Sequence, residues 1–176
     1  SANDAAVCLA ESISGSEDFF VASMNNEVKK LGLINTNFSN VTGLPTANHY
    51  SSSYDMAMIA RNLLLAHELE ILPYTSKYED YVRNNSEKPF WLVNTNKMIK
   101  NVEGVDGLKT GWTETAGYCL TCTKSQNGMR LISVVMNVDS VKHRTIDTIS
   151  LLNFGFSNYE KMIIVGENTE IEDGNN

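Results

Sequence analysis

Between Gly104 and Val138 the chain reads GVDGLKTGWTETAGYCLTCTKSQNGMRLISVVMNV, and this stretch has the pattern of strands joined by tight turns. Gly107–Thr110 is short and apolar-polar, while Gly117–Lys124 and Met129–Val138 are longer and stronger strand candidates. Between the last two lies Ser125-Gln126-Asn127-Gly128. Asn-Gly suits a two-residue hairpin loop because both central residues must take positive φ. The apolar run from Leu131 to Val138 is expected to form a buried strand. Further upstream, Tyr78–Arg83 alternates roughly, Asn84-Asn85 signals a turn, and Phe90–Val93 is a short strand candidate.

The first third of the chain has a different period. Asn3 or Asp4 can cap a helix that continues through Ala5–Ser12, with Gly15 as its breaker. Ser16 can cap a second helix, whose Phe20, Met24, Val28 and Leu31 fall on one face and whose C′ residue is Gly32. A polar loop containing Gly43-Leu44-Pro45 follows. Ser51–Ser53 open a third helix with the stripe Met56, Ile59, Ala60, Leu63 and Leu64, and Pro73 is expected beyond its end. After Ser140 a last helix carries Ile146, Ile149, Leu152 and Phe156, with Gly155 near its terminus. Lys161–Val165 is a further strand candidate, and the acidic tail from Gly166 to Asn176 reads as linker. Helices followed by an antiparallel meander and a closing helix predict an α+β fold with helices packed on a sheet.

Composition narrows the function. The chain of 176 residues has 14 basic against 21 acidic residues, a net charge of −7. Phosphate recognition needs clustered Lys and Arg, and none are clustered here, so nucleic acid is not an expected partner. No apolar run reaches the roughly 20 residues that span a bilayer. The three cysteines are too few, and odd in number, for a disulfide scaffold. Cys119 and Cys122 have CxxC spacing, but residues three apart on a strand point to opposite faces, and no second pair exists. Both are read as packing residues, with no metal and no cofactor expected.

Two short elements carry the chemistry. Ser1-Ala2-Asn3 opens a helix, and Lys109-Thr110-Gly111 lies on a strand ahead of a hairpin. A lone KTG tripeptide occurs easily by chance. Paired with S-x-N it gives two of the three elements of serine β-lactam-recognising enzymes. The surrounding blocks agree: Ser1–Gly15 (SANDAAVCLAESISG), Met24–Gly32, Tyr50–Ile59 (YSSSYDMAMI), Gly104–Gly117 and Met129–Val135. In that order, from Ser1 to about Tyr159, the chain resembles the serine-type D-alanyl-D-alanine carboxypeptidases, the low-molecular-mass penicillin-binding proteins.

The resemblance implies the β-lactamase/penicillin-binding-protein transpeptidase-like fold, incomplete in these residues, and a set of roles. Ser1 matches the serine that relays a proton toward the leaving amine. Asn3 matches the asparagine that holds the catalytic lysine and the substrate peptide. Lys109 supplies positive charge beside Ser1 and the substrate's free carboxylate, and Thr110 donates a hydroxyl to that carboxylate. Gly111, Trp112 and Thr113 continue the substrate-binding strand, with the Trp112 backbone N–H sharing the oxyanion hole. Arg144 matches an arginine near the carboxylate pocket, where a guanidinium can grip a carboxylate with two hydrogen bonds.

The nucleophile is another matter. In the family the attacking serine belongs to an S-x-x-K motif that precedes S-x-N. Here Ser76-Lys77 has the wrong spacing, and Thr121-Cys-Thr-Lys124 lies on a strand in the wrong order. The nucleophile is therefore expected upstream of Ser1. Residues 1–159 are read as the later part of a catalytic domain and 160–176 as the start of a linker or further domain. The implied partners are peptidoglycan stem peptides ending in D-Ala-D-Ala, β-lactams and the missing N-terminal segment, with dimerisation through exposed apolar surface. Membrane association is expected only through segments outside these residues, and the implied location is extracytoplasmic. The competing readings are a β-lactamase or transpeptidase on the same fold, and a catalytically silent peptidoglycan-binding module.

Overall fold

The computed structural model describes residues 1–162 and residue 164. Three helices come first: α1 (Asn3–Ser14), α2 (Glu17–Lys30) and α3 (Ser53–Thr75). A ribbon of β1 (Glu79–Val82) and β2 (Phe90–Val93) follows, then the short α4 (Met98–Asn101). The chain continues through β3 (Val105–Thr113), β4 (Gly117–Gln126) and β5 (Met129–Val138) and closes with α5 (Val141–Asn158). β1 and β2 form their own antiparallel pair, while the main sheet has the order β3-β4-β5. The α+β arrangement predicted from the periodicity is the one observed.

Local chemistry accounts for most of the boundaries. Ser16, Ser52 and Ser140 stand at the N-caps of α2, α3 and α5, where their hydroxyls accept from the amides of Phe19, Asp55 and His143. α1 differs from expectation: it begins at Asn3, and Ala2 occupies the N-cap without a side-chain bond. Asp4 instead lies in the first turn, its carboxylate accepting from the Ala5 amide at 2.9 Å. Gly15, in the left-handed region at φ 80°, ends this helix. The hairpin loop between β4 and β5 has Asn127 at φ 52° and Gly128 at φ 74°, the pair of positive values its Asn-Gly dipeptide foretold.

Three expectations need correction. Pro73 is inside α3, not beyond it. The helix leaves helical geometry at His67 (φ −141°, ψ 30°) and then resumes, so the proline sits in a short second section where few intrahelical bonds remain to be broken. β3 runs nine residues rather than four, because β4 pairs with it as far as Thr113↔Gly117. β5 is half-buried rather than buried: only Ser133 and Val135 are enclosed, since β5 is the end strand of the sheet among the described residues. Lys161 and Met162 lie in no strand, and the rest of that candidate, save Ile164, falls outside the described residues together with the acidic tail.

The core lies between one face of the sheet and helices α4 and α5. Met98, Val105, Leu120, Cys122 and Leu152 are buried there, with Leu131, Ile149 and Phe156 around them. α5 sits close to β5 where it carries Gly155: a Cβ at that position would lie 2.5 Å from Leu131 Cδ1. Cys119 and Cys122 do face opposite ways. Cys122 is fully enclosed, its thiol pushed up to about 12 chiefly by burial and then by the Asp106 charge. Cys119 is half-buried opposite Gly111.

One polar network ties the outer strands to α3. Arg130 on β5 donates to both Asp106 carboxylate oxygens and to Thr123 Oγ1, each at 2.8 Å, crossing the whole sheet to the start of β3. Its Nε and second terminal nitrogen reach Glu68 on α3 at 3.0 and 2.9 Å. Thr75 Oγ1, at the end of α3, donates to the Asp106 carbonyl at 2.8 Å. The start of the strand carrying Lys109 is thereby held from both β5 and α3.

No helix among the described residues is long and apolar enough to cross a membrane. Several large apolar side chains remain exposed, among them Ile13 on α1, Leu65 and Leu69 on α3, and Phe154 on α5.

Candidate active site

The sheet and the first helix bring together residues far apart in sequence. Lys109, on β3, donates from Nζ to Ser1 Oγ at 2.6 Å across a separation of 108 residues. The same ammonium donates to the Thr110 carbonyl at 2.7 Å. Two of its three protons are therefore directed, one at a hydroxyl and one at its own strand. The S-x-N serine and the K-T-G lysine, paired on sequence grounds, meet in space.

Arg144, on the first turn of α5, is 6% exposed. Among the described residues it forms no ion pair, and its buried Nε has no hydrogen-bond partner. Burial lowers its pKa, while Cys119 and Tyr118 act in the opposite sense, which places the guanidinium beside the start of β4. Lys109 responds to the same enclosure. Although the residue as a whole is exposed, desolvation of its ammonium and, next, the charge of Arg144 hold its pKa below the ordinary lysine value. Two cations thus repel each other across a partly desolvated space in a chain of net charge −7. An anion entering that space relieves both the repulsion and the unfilled donor at Arg144.

The remaining sequence candidates are placed as follows. Thr110 is half-buried, and its Oγ1 lies 2.5 Å from Thr95 Oγ1. Gly111 is exposed opposite Cys119. Trp112 is exposed and packs its ring on Tyr118, with centroids 5.8 Å apart. Asn3 is exposed at the start of α1 and, among the described residues, makes no side-chain hydrogen bond to Lys109. Thr113 is turned to local work: its hydroxyl accepts from the Ala116 amide at 3.0 Å and meets Thr115 Oγ1 at 3.3 Å, closing the β3–β4 turn. Ser1 and Lys109 are joined by a hydrogen bond and the Arg144 charge acts on Lys109, while the Thr110 hydroxyl meets Thr95; Asn3 and Thr113 are not joined to them by any hydrogen bond among the described residues.

Sequence reasoning missed Thr95. The signal was the Asn94-Thr95-Asn96 triplet directly after β2, two asparagines flanking a hydroxyl where a loop needs its backbone groups satisfied. Asn96 is 1% exposed, an unusual burial for that side chain.

Comparison with known proteins identifies the family and the fold. The family profile described as D-alanyl-D-alanine carboxypeptidase matches residues 1–140. The chain is 51% identical over 160 residues to the D-alanyl-D-alanine carboxypeptidase DacF of Bacillus subtilis, covering 91% of this chain and 41% of that protein. It is 41% identical over 180 residues to the DacA carboxypeptidase of Haemophilus influenzae, covering 98% of this chain and 43% of the relative. Among solved structures, penicillin-binding protein 5 from Haemophilus influenzae superimposes with a TM-score of 0.82 at 39% identity, over 90% of this chain and 45% of that one. Penicillin-binding protein D2 from Listeria monocytogenes, in its cefotaxime-bound form, gives 0.78 at 35% identity, over 88% and 61%. The chain spans about two fifths of the length of the curated relatives named here. The fold is the transpeptidase-like α+β fold of the penicillin-binding proteins. With its S-x-N serine and K-T-G lysine in hydrogen-bond contact, this chain belongs to the D-alanyl-D-alanine carboxypeptidase family.

Proposed function

We propose that the protein containing this chain is a serine-type D-alanyl-D-alanine carboxypeptidase, removing the terminal D-alanine from peptidoglycan stem peptides outside the cytoplasm. The observation that carries the reading is the Lys109–Ser1 contact at 2.6 Å, together with Arg144, whose charge acts on Lys109 and whose buried Nε has no hydrogen-bond partner among the described residues. In this reading a terminal carboxylate is received by Lys109, the Thr110 hydroxyl and Arg144, and its charge offsets both the desolvation and, next, the Arg144 repulsion that lower the Lys109 pKa. Among the described residues β3 is an end strand of its sheet, so an extended peptide can lie along that edge and exchange main-chain hydrogen bonds with it.

In this proposal a serine outside residues 1–176 attacks the carbonyl between the two D-alanines, since no S-x-x-K occurs among them. The carbonyl oxygen takes up negative charge near the Trp112 N–H. Ser1, polarised by Lys109, passes its proton to the departing amine as the C–N bond breaks and D-alanine leaves, and the proton lost by the attacking hydroxyl replaces it on Ser1. Water then cleaves the resulting ester, returning the serine hydroxyl and releasing the shortened peptide. β-Lactams enter the same site because they present a strained amide and a carboxylate in the same relation.

Treatment of the full-length protein with a fluorescent penicillin, followed by digestion and mass spectrometry, tests the reading. A single penicilloyl adduct is expected on an S-x-x-K serine outside residues 1–176. Absence of any adduct, or its appearance on a residue of this chain, refutes it.

A further inference from the structure

We infer that Thr95 is a positioning residue for the terminal carboxylate: it orients the Thr110 hydroxyl by donating to it. The inference rests on the carboxypeptidase reading and adds a residue from outside the β3 strand.

Thr95 is held on a brace between α3 and β3. On one side the Asn94 amide nitrogen donates to the carbonyls of Thr75 and Lys77 at 3.2 and 3.1 Å, and its backbone N–H donates to the Tyr78 carbonyl at 2.7 Å. On the other side Asn96, buried, donates to the Gly107 carbonyl at 3.4 Å and accepts from the Met98 amide at 3.2 Å. The two asparagines are joined directly, the Asn96 amide donating to Asn94 Oδ1 at 2.9 Å. These anchors fix the backbone on either side of Thr95, which is itself exposed, and its Oγ1 stands 2.5 Å from Thr110 Oγ1.

A hydroxyl has one proton and two acceptor lone pairs. Either threonine can donate when the site holds no ligand. A carboxylate accepts only, so binding one at Thr110 requires the Thr110 proton to point at it. Thr110 Oγ1 must then accept from Thr95, which fixes the χ1 rotamer of Thr110 and the direction of its remaining donor. Without Thr95 the Thr110 hydroxyl can rotate to solvent or to a backbone carbonyl, and the grip on the carboxylate weakens. The acylation chemistry at Ser1 and Lys109 is untouched.

The test uses the full-length protein and two substrates with the same acyl group. One is an acyl-D-Ala-D-Ala peptide; the other is the p-nitrophenyl ester of acyl-D-Ala, which acylates the enzyme without a terminal carboxylate. Thr95→Val is expected to lower kcat/KM for the peptide about tenfold, the loss of one hydrogen bond to a charged group. It should leave the ester within about twofold, and Thr95→Ser should restore the peptide rate to within about threefold of wild type. Equal loss on both substrates marks a purely structural role and overturns the inference, as does an unchanged peptide rate in Thr95→Val or a Thr95→Ser variant as poor as the valine. A wild-type protein that turns over the ester but not the peptide overturns the carboxypeptidase reading, and the inference with it.

Discussion

Replacing Arg130 by methionine removes the charge that joins β5, β4, β3 and α3 while keeping most of the aliphatic volume of the stem. The cost can be worked from what is left behind. Thr123, 0% exposed, loses the partner of its hydroxyl, and an orphaned buried hydroxyl costs about 1–3 kcal/mol. The Asp106 carboxylate, whose side chain is 21% exposed, loses two charge-assisted bonds at 2.8 Å, about 1.5–3 kcal/mol. Glu68 is 48% exposed and rehydrates, so it adds little. Because the groups share one partner the terms do not simply add, and about 3–4 kcal/mol in total is expected, within the range for breaking a partly buried pair. Urea denaturation of the full-length protein, followed by circular dichroism, should show the midpoint falling by about 1–3 M at unchanged slope. The decisive comparison is Asp106→Asn. In the Arg130→Met background it should recover at least about 1 kcal/mol, since it removes an unpaired charge, whereas in the wild type it should destabilise. An Arg130→Met variant within about 0.5 kcal/mol of wild type, or an Asp106→Asn change that costs the same in both backgrounds, refutes the claim that this network holds β3.

Two further outcomes follow from named geometry. Gly104 has φ +79° and a Cβ there would run into the Ser125 carbonyl oxygen, whose own N–H donates to Gly104 O at 3.0 Å; Gly104→Ala should cost about 2–4 kcal/mol of stability, and a change below about 0.5 kcal/mol in the same denaturation series contradicts the assignment. The second concerns Lys109, whose pKa is depressed first by desolvation and then by Arg144. Between that lowered value and 10.5 the unfolded chain binds the proton more strongly, so this group's contribution to stability rises with pH through the window. If the charged lysine is the active form, kcat/KM falls on the alkaline side at a pH below the ordinary lysine range. Arg144→Ala removes the repulsion but not the desolvation, so that limb should move to higher pH without reaching the free-lysine value; a limb that stays put or moves down contradicts the electrostatic coupling.

How far the sequence discloses this architecture depends on whether local residues settle the matter. The three serine caps, the Gly15 and Gly32 terminators and the Asn127-Gly128 turn act within a few residues, and each is found where its chemistry requires. Pro73 misleads because packing tolerates a break at His67 and lets a second helical section absorb the proline. β3 is longer than its own pattern suggests because pairing with β4, not propensity, carries it through Gly111 and Trp112. In the site, Ser1, Lys109 and Thr110 are legible as motifs, yet the Ser1–Lys109 contact is not, since 108 residues separate the two. Thr95 has no motif at all: its place beside Thr110 follows from two asparagines whose partners on α3 and β3 only the folded chain reveals.

The central claim is that Lys109, Ser1, Thr110 and Arg144 form the carboxylate side of a D-alanine-releasing site. It is tested most directly by measuring free D-alanine liberated from an acyl-D-Ala-D-Ala peptide by the full-length protein and its Lys109→Ala variant. The account predicts steady release by the wild type and a loss of about a hundredfold or more in the variant, the scale for removing one preorganised donor. Absence of release by the wild type, or an undiminished rate in Lys109→Ala, contradicts it.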